Sequence, residues 1–188
     1  MRKINLIGID LGTSGVRTTV YDQNGGVVDS GQVDLEKQSQ EEWENSLKGA
    51  TPEIPKGDNI CSIDSTSGTV IAVDSKGEMV FPPQMYHESA PKQAARVKDF
   101  DSATEIEEKG VSISATSPLP KIMRLKEKNP NKFEKVSWIL NPTTWLLYRL
   151  CNEEGAPWKN LETDWTNALK FGADITKEEP DWYAHGDQ

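Results

Sequence analysis

The chain opens on an apolar, β-branched run, Ile4-Asn5-Leu6-Ile7-Gly8-Ile9-Asp10, which breaks into a turn of small residues, Leu11-Gly12-Thr13-Ser14-Gly15. No other stretch limits the fold as tightly. A short run of this kind, bounded by a turn signal, predicts a strand buried on both faces. Beyond the turn, Val16, Thr18 and Val20 alternate with Arg17, Thr19 and Tyr21, the period-two pattern of a second strand. Gln23-Asn24-Gly25-Gly26 is a strong hairpin turn, and Val27 to Val33 supplies a third strand. The expectation is an antiparallel meander, joined to a mixed sheet when Ile60-Cys61-Ser62-Ile63 rejoins it. Between them, Ser39 followed by Glu41 and Glu42 predicts a capped helix to about Lys48, which Pro52 and Pro55 forbid from continuing.

A second block echoes the first. Ile63-Asp64, Thr66-Ser67-Gly68, Asp74 and Gly77 repeat the order of Ile9-Asp10, Thr13-Ser14-Gly15, Asp22 and Gly25. The echo is either an internal repeat or two hairpins reaching the same turn chemistry. Val70–Asp74 and Met79–Phe81 are read as the two strands of that second hairpin, closed by Pro82-Pro83. Helical segments are expected over Lys92–Val97, from Pro118 to the stop at Asn129-Pro130, and from Pro142 to Leu150 with Asn141 as cap, with a strand at Val136–Leu140. Five tryptophans, Trp138, Trp145, Trp158, Trp165 and Trp182, fall in the last third and are expected to anchor its packing.

Charge and composition exclude several classes of function. The 188 residues carry 21 Lys and Arg against 30 Asp and Glu, a formal charge of −9. Nucleic acids and anionic membranes need clustered positive charge, so neither is an expected partner. No apolar run approaches the roughly 20 residues of a membrane span, and Met-Arg-Lys leads directly into a strand without a signal-peptide core. A cytoplasmic protein is expected. Cys61 and Cys151 stand far apart, with no Cys-x-x-Cys or His-x-x-x-His spacing, which speaks against a disulfide framework or a zinc site.

The phosphate loop with its lysine, the Gly-x-Gly-x-x-Gly fingerprint and the Gly-x-Ser-x-Gly elbow are all absent from the sequence. What remains is Asp10-Leu11-Gly12-Thr13-Ser14-Gly15-Val16-Arg17. A strand-final carboxylate beside a turn of small residues offers an oxygen for Mg²⁺, main-chain N–H groups open to phosphate oxygens, and two hydroxyls. The plainer alternative is a hairpin turn in which the same side chains only satisfy the backbone.

Taken with its continuation, this motif resembles the amino-terminal domain of the FGGY carbohydrate kinases. The resemblance runs on through Ile63-Asp64-Ser65-Thr66-Ser67-Gly68-Thr69, Pro82-Pro83-Gln84-Met85-Tyr86-His87-Glu88-Ser89, Ser114-Ala115-Thr116-Ser117 and Thr163-Asp164-Trp165-Thr166-Asn167-Ala168-Leu169-Lys170-Phe171-Gly172, in the family's order. It implies an α/β fold of the ribonuclease H-like (actin/Hsp70/hexokinase) type over residues 1–188, with the second, ATP-binding lobe absent and the fold incomplete at its carboxyl end. It also implies an ATP-dependent sugar kinase using Mg-ATP as cofactor.

Carried over at matching positions, Asp10 would help hold Mg²⁺, while Gly12, Thr13 and Ser14, supported by Arg17, would face the ATP phosphates. The sugar would lie against Asp64, Thr66, Ser67, Gly68 and Thr69, with His87 and Glu88 nearby. Glycerol kinases carry an Arg-Glu pair at this loop and xylulokinases a Gln-Met-His-Gly; this chain has neither, and looks more like the ribulokinase branch acting on D-ribulose or a related pentulose. The alternatives stay open at His87 (a surface residue), Asp64 (a strand-end partner) and Asp164 with Asn167 (a helix start). In the family the general base is an Asp near the end of the first domain in a Gly-x-x-Asp context, and no such Asp follows Gly172. These residues alone are therefore expected to be inactive, the rival being a non-catalytic sugar- or nucleotide-binding module. An incomplete sheet would leave strand edges uncovered, so self-association of the chain is expected as well.

Overall fold

The computed structural model describes residues 3–109, 111–176, 178 and 181–182. They fall into two units, residues 1–66 and 67–188.

The first unit is a four-stranded mixed sheet with one helix. Strands β1 (Ile4–Leu11), β2 (Gly15–Asp22) and β3 (Val27–Asp34) form the expected meander, and β4 (Asp58–Ser65) adds to β1 in parallel, giving the order β3-β2-β1-β4. Helix α1 (Gln40–Ala50) starts where Ser39 accepts a hydrogen bond from the Glu42 amide, and it packs on β2 and β3. Its Trp43, Leu47 and Ala50 are buried, as are Ile7, Ile9, Leu11, Val16 and Val20 of the sheet. Burying these side chains contributes roughly 1.5–3 kcal/mol for each of the larger ones. Added Cβ at Gly31 would overlap the Ala50 carbonyl, so the helix approaches β3 only because that residue lacks a side chain. The opening strand departs from the expectation of burial on both faces. Ile4 and Leu6 are each 36% exposed while their neighbours Asn5 and Ile7 are buried, because within this unit the helix covers one side of the sheet.

Among its described residues, the second unit is mainly helical, with four short strands. It comprises β5 (Ile71–Val73), α2 (Pro91–Lys98), α3 (Asp101–Glu108), α4 (Pro118–Lys128), α5 (Pro130–Phe133), β6 (Trp138–Leu140), α6 (Pro142–Cys151), α7 (Trp165–Lys170), β7 (Ala173–Asp174) and β8 (Asp181–Trp182). Strand β5 pairs antiparallel with β6, and β7 with β8. The expected second hairpin is present as isolated bridges, Val73 to Met79 and Val70 to Gln84, with the Val80 amide donating to the Ala72 carbonyl at 2.9 Å, while β5 also forms its ladder with β6.

Two apolar clusters organise this unit: Ala72, Phe81 and Leu125 with Val80, Phe133, Val136 and Ile139, and Val97, Ala103 and Ile113 with Phe100, Leu119 and Met123. Trp145 and Trp158 are buried as expected, whereas Trp165 is 53% exposed at the start of α7. Asn141 caps α6, accepting from the Thr144 amide at 2.8 Å and donating to the Thr144 and Thr163 hydroxyls. Among the described residues no helix is long and apolar enough to cross a membrane.

The two echoing blocks share the same turn chemistry. Asp22 Oδ1 accepts from the Asn24 and Gly26 amides, and Asp74 Oδ1 accepts from the Lys76 and Glu78 amides. Gly25 and Gly77 follow at φ of +83° and +82°. The strands differ: the first turn joins β2 to β3, and the second follows a strand paired with β6.

Candidate functional site

In the first unit, the candidate phosphate-handling residues share one end of the sheet. Asp10 lies opposite Arg17 across the β1–β2 pair and shares a register position with Asp64 on the parallel strand β4. Residues in register on neighbouring strands point to one face, so the structure sets the two carboxylates side by side. Arg17 donates to Asp10 Oδ2 at 2.9 Å and to Gln32 at 3.3 Å. The pair is exposed, with side chains 45% and 47% accessible, so it contributes at most about 1 kcal/mol to stability and leaves Asp10 open to solvent.

The turn itself is closed by the Gly12 amide donating to the Gly15 carbonyl at 2.9 Å. Thr13 and Ser14 are exposed at its tip; their carbonyls are taken by Gln38 and the Leu35 amide. The Thr66 amide donates to the Leu11 carbonyl at 3.3 Å, and Asp64 Oδ1 accepts from the Ser65 amide. As a donor set for Mg²⁺ these residues fit, since that ion commonly takes one or two protein carboxylates and leaves the other positions to water and phosphate. Among the described residues, no group of three or more His, Cys, Asp or Glu side chains could hold a metal by itself.

The second unit holds a cleft of about 480 Å³, within the roughly 300–1,000 Å³ range of small-molecule sites. Five places far apart in sequence converge on it: Ser67-Gly68, Tyr86, Val97 of α2, Val111–Ser114 with Thr116–Pro120 at the entry to α4, and Leu169–Gly172 at the end of α7. Its polar wall is a hydroxyl cluster, with Ser114 Oγ 3.0 Å from Thr116 Oγ1 and 3.3 Å from Ser117 Oγ. Each hydroxyl can both donate and accept, which is what a polyol requires of a partner. Val97, Ile113, Leu119 and Phe171 form the apolar wall.

Other candidates from the sequence stand apart from this cleft. Thr69 is fully buried and does not line it. His87 is exposed and stacks edge-on against Tyr86, with ring centroids 5.1 Å apart. The Glu88 carboxylate is occupied, accepting from the Met85 amide at 3.1 Å and from Arg124 at 2.9 Å. Asp164 caps α7 by accepting from the Asn167 amide, the plainer of its two readings.

Two residues beneath the cleft were not singled out from the sequence. Lys121 has no exposed surface, and its ammonium donates to the carbonyls of Met85 at 2.7 Å, Gly68 at 3.0 Å and Tyr86 at 3.3 Å. Burial lowers its pKa to about 8, opposed by the charge of Glu88 and aided by that of Arg124. Arg124, one helical turn on, holds the same segment through the Ser89 carbonyl, Gln84 and Glu88. The sequence signal was helical phase: Lys121 lies four residues before buried Leu125 and three after buried Pro118, on the face of α4 that meets the core.

No protein-family model matches the chain. Solved structures do. The xylulose kinase from Bifidobacterium adolescentis is 18% identical, with a TM-score of 0.77 over 90% of this chain and 39% of its own. Plasmodium falciparum glycerol kinase with ADP is 19% identical, with a TM-score of 0.74 over 95% of this chain and 39% of its own. A gluconate kinase from Lactobacillus acidophilus is 19% identical, with a TM-score of 0.66 over 78% and 33%. The chain thus shares the fold of the matching part of these carbohydrate kinases, and it spans 39% of the length of the first two.

Proposed function

We propose that this chain is the amino-terminal region of an ATP-dependent carbohydrate kinase of the FGGY family, with the ribonuclease H-like architecture, acting on a pentulose such as D-ribulose or xylulose. One observation carries the reading: the 480 Å³ cleft gathers Ser67-Gly68, Tyr86, Ser114 to Ser117 and Leu169 to Gly172, stretches that resemble the family's at the level of sequence. Sugar is the small molecule that a cleft with one hydroxyl wall and one apolar wall suits, since its hydroxyls pair with the first and its C–H faces with the second.

Ser67 and Gly68 then contact the acceptor, and Tyr86 closes one side. Thr69, His87 and Glu88 lie outside the cleft lining, and a role for Asp64 and Thr66 toward the sugar rests on the resemblance alone. Asp10, with Asp64 at the same register, would hold Mg²⁺, and Gly12, Thr13 and Ser14 would meet the phosphates. Arg17 orients Asp10. The bound ion would supply charge neutralisation at the transferring phosphoryl group. A base near the sugar hydroxyl must take its proton; none of the Asp residues after Gly172 stands in the Gly-x-x-Asp context that the resemblance calls for.

The test is calorimetric titration with D-ribulose, D-xylulose, L-ribulose, gluconate and glycerol, alongside an ADP-release assay with Mg-ATP. Binding of a pentulose in preference to glycerol supports the reading. Binding of none of the panel refutes it, and ADP release independent of any sugar favours an actin- or Hsp70-like ATPase instead.

A further inference from the structure

A lysine with no exposed surface is costly to bury, because its ammonium gives up water. Methionine, of similar length, would fill the same space without that cost. What the ammonium of Lys121 does, and a thioether cannot, is donate in three directions at once. One donor goes to Gly68 and two go to Met85 and Tyr86, so a single group ties together two segments separated by 17 residues in sequence. Gly68 sits at φ +79°, a conformation that a residue without a side chain leaves as readily as it enters. Gly68 and Tyr86 both line the cleft, and the tether lies directly behind them.

We propose that Lys121 is a positioning residue for the acceptor: by holding the main chains of Gly68 and Tyr86 on one ammonium, it fixes the width of the cleft between them and thereby sets sugar affinity. The proposal rests on the reading of that cleft as the acceptor site.

Loss of the proton leaves two donors for three carbonyls, so one carbonyl of the cleft wall is released. With the lysine's pKa lowered to about 8, this happens within an accessible range, and acceptor affinity falls as pH rises through it. Of the charged groups on α2, which packs against α4, Lys98 is paired with Glu107 and Lys92 is exposed. Glu88 and Arg124 are paired with each other, Arg96 of the adjoining α2 is paired with Glu127, and Tyr86 and His87 complete the titratable set on the 85–88 segment. Lys170 stands on the cleft lining itself.

The experiment is the dissociation constant of D-ribulose by calorimetry between pH 7 and 9.5, for the wild type, Lys121→Met and Lys121→Arg, with near-ultraviolet circular dichroism to check the fold. The wild type is expected to weaken about fivefold across the range with its midpoint near pH 8, as for one lost hydrogen bond. Lys121→Met is expected to bind more weakly at pH 7 and to show no inflection. Should Lys121→Met not fold, Lys121→Arg decides, since a guanidinium stays charged throughout and its profile must be flat. An inflection near pH 8 that persists in either variant, or unchanged affinity in Lys121→Met, overturns the positioning role and leaves the acceptor site standing. Failure of the wild type to bind any sugar of the panel overturns both.

Discussion

The two glycines of the repeated turn allow a packing energy to be isolated. Gly25 and Gly77 occupy the same left-handed conformation in turns closed the same way, with the Gly25 amide 3.0 Å from the Asp22 carbonyl and the Gly77 amide 3.2 Å from that of Asp74. A Cβ on Gly25 would meet nothing within 4 Å, whereas a Cβ on Gly77 would overlap the six-membered ring of Trp158. Gly25→Ala therefore bears only the backbone cost, about 1–2 kcal/mol. Gly77→Ala bears the same cost and must also displace a buried indole. That ring cannot withdraw easily, because the Trp158 amide donates to the Ser75 carbonyl at 2.7 Å and the Gly77 carbonyl accepts from Trp145 Nε1 at 3.0 Å. Overpacking of this kind costs about 1–3 kcal/mol more, for a total of about 2–5 kcal/mol. Urea denaturation followed by tryptophan fluorescence measures both variants through the shift in midpoint at constant slope. The reasoning fails if the two substitutions differ by less than about 0.5 kcal/mol, since that would mean Trp158 does not rest on Gly77.

Other expectations follow from the same geometry. Asp10→Ala should change urea stability by less than about 1 kcal/mol, because its ion pair is exposed, while sugar-dependent ADP release falls by orders of magnitude in whatever length of the protein supports it; parallel loss of both would return Asp10 to a turn role. Asn141→Ala removes the α6 cap and leaves the Thr144 amide unmet, at a cost of about 1–2 kcal/mol; Asn141→Asp should recover part of it. Buried Asp174 accepts from Lys109 and from both the amide and hydroxyl of Thr176, and the Lys109 bond foremost holds its carboxyl far below the usual range. A lowered folded pKa stabilises above the unfolded value of about 3.9 and is lost as pH falls below it. The urea midpoint should therefore drop between pH 5 and 2.5, and drop less steeply in Asp174→Asn.

The parts of the fold legible in the sequence are those that local chemistry decides. Asn-Gly at the first hairpin, Ser39 before two glutamates, and Asn141 before Pro142 each fix their element through groups within four residues. Helix α3 carried no such mark: it starts after Phe100, which has no side-chain oxygen to cap it. Met79–Phe81 meets β5 through a local bridge that its composition suggests, whereas the ladder of β5 with β6 joins residues over 60 apart, which periodicity cannot identify. The candidate site divides likewise. The turn at Asp10 and the Ser67-Gly68 loop could be found from motifs, whereas Lys121 reads as an ordinary helical cation until its burial and three carbonyl partners are seen. Trp165 failed in the opposite sense, since an aromatic side chain predicts burial and the first turn of α7 faces solvent there.

The paired aspartate–glycine turns bear on how ancestry is inferred from short similarities. An aspartate that gathers two amides three residues ahead of a left-handed glycine is the cheapest way for a chain to reverse, and any lineage can arrive at it afresh. Here it occurs twice in one polypeptide, once between neighbouring strands of a meander and once between Val73 and Met79, which are joined by a bridge. An alignment seeded on it would lay residue 22 over residue 74 on the strength of turn chemistry that two unrelated hairpins reach equally well.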